Sequence, residues 1–126
     1  MEDFKYKFIK KDKYILVKTE GTVTTIDQVI NYADDIFEKC LKESKNKVLI
    51  DDRNTIVYTS LIKNFQIAEK VALLQSEKVF VTTALVTNES NKDKFTDIEL
   101  FFRNRGFYFK VFDSINNAKN WLLGNS

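Results

Sequence analysis

From residue 26 onward, stretches with helical periodicity take turns with short apolar runs, and this alternation is the tightest limit on what the chain can fold into. Helices and strands that alternate along a chain build a mainly parallel sheet with helices packed on it. The helical pattern is clearest over 26–41. There Ile26, Val29, Ile30, Ala33, Ile36, Phe37, Cys40 and Leu41 recur at three- and four-residue spacing, while Asp27, Asp34, Asp35, Glu38, Lys39 and Lys42 fill the other side. Thr25 is placed to cap this helix, with Gln28 completing a capping box, and the helix is expected to end near Ser44. Val48-Leu49-Ile50 is wholly apolar, the mark of a central strand covered on both faces, and it runs into Asp51-Asp52-Arg53 at the expected strand end.

The same reading carries through the rest of the chain. Residues 4–10 alternate, with Phe4, Tyr6 and Phe8 on one side, and a reversal at Lys11-Asp12-Lys13 leads into a second strand over 14–19. Gly21 is expected to end that hairpin. A second helix is expected over 61–75, on which Val71, Leu73 and Leu74 make the apolar stripe broader than a surface helix needs. A strand follows over 79–86, a loop over 88–91, and a helix over 92–105 with Phe95, Ile98, Phe101 and Phe102 on its inner side. Gly106 suits a left-handed helix end, 107–112 is the last strand, and Ser114 caps a short closing helix. The expected order is β-β-α-β-α-β-α-β-α: an α/β fold with a mixed, mainly parallel five-stranded sheet, in one domain over 1–126. The absence of proline and the presence of only three glycines suit such regular structure.

What is missing from the sequence narrows the chemistry. The chain has no histidine, which removes the commonest general base and any Ser–His or Cys–His nucleophile pair. It also removes the usual Cys/His zinc site, and neither a GxxxxGK[ST] nor a GxGxxG motif is present. No enzyme activity, cofactor or metal is expected. A net charge of +2 is too small for a dedicated nucleic-acid binder. Cys40 is the only cysteine, and no leader or apolar span stands out, so a reducing, cytoplasmic setting is expected. The lysines at 5, 7, 10, 11 and 13 read as the wet side of an edge strand, where they oppose strand-to-strand association. The aromatic run Phe107, Tyr108, Phe109 and Phe112 requires cover on both sheet faces, or leaves apolar surface for a ligand or partner.

Two places could carry binding. Asp51-Asp52-Arg53 lies where parallel sheets place ligands, beyond the ends of strands. A phospho-acceptor reading of it would need acids and a lysine at neighbouring strand ends, and Lys18, Glu20 and Thr87 do not supply that set. Tyr58-Thr59-Ser60 precedes the expected second helix, where free backbone N–H groups favour an anion or a phosphorylated hydroxyl. Asp52, Arg53, Tyr58, Thr59 and Ser60 are therefore the candidate residues, with Arg53 meeting an anionic group.

The order of elements, the run Val48-Leu49-Ile50-Asp51-Asp52-Arg53, and the ending Asn104-Arg105-Gly106, Val111-Phe112-Asp113 and Ala118-Lys119-Asn120-Trp121-Leu122 resemble the SpoIIAA-like proteins. These are bacterial relatives of the STAS domain, the anti-sigma-factor antagonist fold, and are also likened to the CRAL-TRIO lipid-binding domain. The resemblance implies a non-catalytic regulatory or binding module. In the antagonists a serine before the second helix is phosphorylated within aspartate-serine-serine-glycine. Tyr58-Thr59-Ser60-Leu61 occupies that place here without the aspartate or the glycine. The resemblance also implies, as alternatives to a protein partner, a small apolar or anionic ligand or a lipid with transient membrane contact. A homodimer is compatible with either.

Overall fold

The computed structural model describes residues 3–57, 66, 69–71, 73, 81–104 and 107–124. Five strands lie in the order β1-β2-β3-β4-β5: β1 is Lys5–Lys10, β2 Ile15–Val23, β3 Lys47–Val57, β4 Thr82–Val86 and β5 Phe109–Phe112. β1 runs antiparallel to β2, and each later neighbouring pair is parallel. The mixed, mainly parallel α/β sheet expected from the alternation is thus present. Helix α1, Ile26–Glu43, links β2 to β3, the helix Lys92–Asn104 links β4 to β5, and a closing helix, Ile115–Leu122, follows β5. Between β3 and β4 the described residues 66, 69–71 and 73 are helical.

Local chemistry accounts for the ends of α1. The Gln28 backbone N–H donates to Thr25 Oγ1 at 3.2 Å, and Gln28 Oε1 accepts from the Thr25 and Thr24 N–H groups at 3.0 and 2.8 Å. At the other end Ser44 adopts a left-handed conformation (φ 54°), and the Lys45 N–H donates to the Cys40 carbonyl. Ser114 caps the closing helix by accepting from the Asn117 N–H.

Both faces of the sheet are covered, and β3 supplies both cores. On one face Ile15, Val17, Val48, Ile50 and Leu85 pack with Ala33, Ile36, Phe37 and Cys40 of α1 and with Phe95. On the other face Tyr14, Leu49, Ala84 and Val86 meet Ala118 and Leu122 of the closing helix. Each such side chain taken wholly from water contributes about 1.5–3 kcal/mol. β5 divides its aromatics as both-face cover requires, with Phe109 and Val111 against the α1 side and Phe112 against the closing helix. β1 is the edge strand, its lysines 5, 7 and 10 exposed, while Phe4, Tyr6 and Phe8 pack inward. Tyr6 sits 4.8 Å from Tyr32, ring centre to ring centre, and Phe4 meets the same ring edge-on at 5.2 Å. The Tyr6 hydroxyl donates to the Asp35 carboxylate, and burial together with that carboxylate pushes the phenol up to about 12.

Two expectations about strand ends are corrected. Gly21 does not end the hairpin, because β2 continues through it to Val23. Its φ is +99°, and a Cβ there would lie 2.0 Å from the Asp3 carbonyl oxygen, where the chain start forms a bridge to Thr22. Similarly, β3 does not stop at Asp51-Asp52-Arg53 but runs on to Val57, so those charges lie within the strand. Gly21→Ala is expected to cost at least about 2 kcal/mol from positive φ and the backbone clash together. Thermal unfolding checks this, and an unchanged melting temperature would contradict it.

Candidate functional site

The site begins with an irregularity in β3. In its pairing with β2, Lys18 faces Asp51 but Glu20 faces Asn54, so β3 spends one residue more than its partner over that interval. Side chains alternate along a strand, and one extra residue reverses which of them point inward. Val48, Ile50 and Asp52 face the α1 side before the bulge, and Thr55 and Val57 face it afterwards. The bulge thus lets Asp52 and Thr55 share one side of the sheet. β4 pairs with β3 only up to Asp51, so the bulged extension needs other partners. The loop after β4 supplies them. Asn88 Nδ2 donates to the Arg53 and Thr55 carbonyls at 3.0 and 3.3 Å. Buried Asn91 donates to the Thr55 carbonyl at 2.7 Å and accepts from the Val57 N–H.

Asp52 is 5% exposed. Thr19 Oγ1 lies 2.5 Å from Asp52 Oδ1 and 2.5 Å from Thr55 Oγ1, forming a short chain of buried hydroxyls that ends on the carboxyl. Burial is the main influence and pushes the Asp52 carboxyl up to about 7. The Thr19 hydrogen bond opposes that rise, and the neighbouring Asp51 charge adds to it. Asp51 shows the reverse behaviour. Arg53 clasps it through Nε at 2.8 Å and Nη2 at 2.9 Å, and this holds its carboxyl below the usual range. Asp51 and Arg53 therefore form an ion pair on the opposite face from Asp52.

Asp52 borders a cavity of about 130 Å³ between the sheet and the helices. Its walls are mostly apolar, with Phe37, Phe95, Ile98, Phe102 and Val71 prominent, and its polar lining includes Thr55 and Tyr32 beside Asp52. The Tyr32 hydroxyl is buried and has no hydrogen-bond partner among the described residues. Burial raises its phenol well above the ordinary value, and the Asp52 charge adds to that. A buried polar atom left unpaired costs about 1–3 kcal/mol, and native structures contain few of them. A carboxyl in a cleft with a strongly raised pKa is a mark of functional sites. Among the described residues no group of three or more acids or cysteines is placed to hold a metal ion. Cys40 is buried, and burial pushes its thiol up to about 11, which makes it a poor nucleophile.

Of the sequence-based candidates, Asp52 lines this cavity, and Arg53 is turned away from it and engaged with Asp51. Tyr58, Thr59 and Ser60 lie outside the described residues. Sequence reasoning missed Tyr32 and Thr19, although spacing contained both. Tyr32 is three residues after Val29 and four before Ile36, and Thr19 continues the alternation of Ile15 and Val17.

No protein-family model matches the chain, and no curated protein matches its sequence. Solved structures do match its fold. An anti-sigma factor antagonist from Mycobacterium paratuberculosis superposes with a TM-score of 0.62 at 11% identity, covering 96% of this chain and 95% of that one. A protein of the DUF3478 family with a SpoIIAA-like fold, from Shewanella loihica, gives 0.56 at 18% identity over 97% and 95%. The fold is SpoIIAA-like. The topology that the closing Val111-Phe112-Asp113 and Ala118-to-Leu122 patterns suggested is the one present, and within this SpoIIAA-like frame the cavity lies on the α1 side of the sheet.

The raised Asp52 value has a consequence for stability. The native state keeps this proton up to about pH 7, whereas an unfolded aspartate releases it near 3.8. Stability from this group therefore falls as pH rises between those values and is flat above, a cost of up to about 4 kcal/mol. Asp52→Asn is expected to be more stable than the native chain at pH 8, with the gap closing toward pH 4. Melting temperatures across that range check it, and a gap independent of pH would contradict it.

Proposed function

We propose that this chain is a non-enzymatic binding module of the regulatory kind, and that the cavity beneath α1 takes a small apolar ligand. The observation that carries the ligand reading is the 130 Å³ apolar cavity bordered by a buried carboxyl and an unpaired phenol. An enclosed apolar space of about 150 Å³ is enough to hold a benzene ring. The size suits a single ring or a short branched chain, which favours a small apolar molecule. Among the described residues no helix is long and apolar enough to cross a membrane. A cytoplasmic setting belongs to this reading, since Cys40 is the only cysteine.

A protein partner is the second element, supported by the likeness to an anti-sigma factor antagonist. The half-exposed Arg53 and the segment Tyr58-Thr59-Ser60 that follows β3 are the proposed contact for it. Cavity and contact would communicate through β3, which carries Asp52 inward and Arg53 outward.

Native mass spectrometry of gently purified protein tests the ligand reading. A small non-covalent mass that denaturation removes, and that Ile98→Trp abolishes in a folded chain, is the expected result. A bare chain whose melting temperature also ignores saturating small aromatic hydrocarbons would contradict it.

A further inference from the structure

The cavity is not uniformly apolar. Asp52 and Tyr32 both border it. Thr19 already occupies one oxygen of Asp52, and Thr55 joins the same chain. The Tyr32 hydroxyl, on a side chain only 8% exposed, has no partner. The remaining walls are mainly hydrocarbon, Phe95, Ile98, Phe102 and Val71 among them, with Thr83 and Tyr108 the other hydroxyl-bearing residues of the lining.

We propose that the cavity binds a small uncharged molecule with one hydroxyl on an apolar ring or short chain, its hydroxyl seated between Asp52 and Tyr32 and its body against Phe95, Ile98 and Phe102. This rests on the ligand reading above and specifies the ligand class. A hydroxyl both donates and accepts, so one group can satisfy the Tyr32 phenol and the free lone pairs of the Asp52 carboxyl together. A purely apolar occupant would leave Tyr32 unpaired at the cost already given. A carboxylate occupant would bring a second acid against Asp52 in a site of low dielectric, which like-charge repulsion and desolvation oppose. An ammonium would have to give up its hydration in a pocket that offers it one carboxyl and otherwise mainly hydrocarbon. A neutral phenol or alcohol avoids both penalties.

Paired probes test this on the full chain: p-cresol, which carries the hydroxyl, and toluene, which has the same ring and methyl without it. Binding is read by NMR from the amide shifts of Phe95, Ile98 and Phe102. The expected result is that p-cresol binds at least about tenfold more tightly than toluene, an advantage equal to one or two net hydrogen bonds. In Tyr32→Phe that advantage should shrink to within about threefold while toluene binds no worse, an outcome that a merely structural role for Tyr32 would not give. Ile98→Trp, shown folded by circular dichroism, should bind neither. Equal affinities of the native chain for the two probes would overturn the hydroxyl assignment and leave the apolar-ligand reading standing. No shift with either probe on a folded native chain would overturn both, and water alone would then fill the space.

Discussion

The bulge opposite Thr19 is the constraint on which the rest of this structure depends. Without the extra residue between Asp51 and Asn54, regular alternation past Asp52 would turn Thr55 and Val57 away from α1. The core on that side would lose Val57, and the polar chain from Thr55 through Thr19 to Asp52 could not form. The bulge in turn requires backbone partners where β4 has stopped, and the side chains of Asn88 and Asn91 provide them. A loop asparagine that is 1% exposed is explained by this substitution for a missing strand.

The electrostatic contrast between the adjacent aspartates follows from ordinary alternation just before the bulge, which puts them on opposite faces. Asp51 lies beside a guanidinium that is half in water, and it stays ionised. Asp52, one residue on and on the other face, has a threonine hydroxyl as its hydrogen-bond partner in a largely hydrocarbon setting, and it holds its proton to about pH 7. Two identical side chains one peptide apart are thus given different chemistry by which face of the sheet they occupy. The fold retains a destabilising buried acid beside an unpaired phenol. That costly pair is what the ligand reading proposed above accounts for.

The architecture was legible because it rests on periodicity. The stripe from Ile26 to Cys40 and the apolar triplet at Val48 fixed a helix and a central strand, and the Thr25–Gln28 box placed the helix start. Asp52 was legible as a candidate, but its role was misplaced, because charge after an apolar run reads as a strand ending. Here β3 continues for six residues beyond Asp51, held partly by asparagine side chains from residues 88 and 91 that no local pattern connects to it. A bulge leaves no signature in one strand alone, since it is defined by register against a neighbour. Gly21 was misread for a related reason. Its positive φ serves a close approach of the chain start at Asp3, a contact between residues eighteen apart in sequence that the glycine itself does not announce.

The account depends most directly on where Asp52 sits and how dry its surroundings are. Carbon-detected NMR titration of the aspartate side-chain carboxyls in the native chain measures this. The account predicts that Asp52 titrates at about 7 while Asp51 titrates below the usual carboxylate range. An Asp52 carboxyl titrating at the ordinary 3.8 would mean that it is solvated, and would contradict both the inward placement and the cavity built upon it.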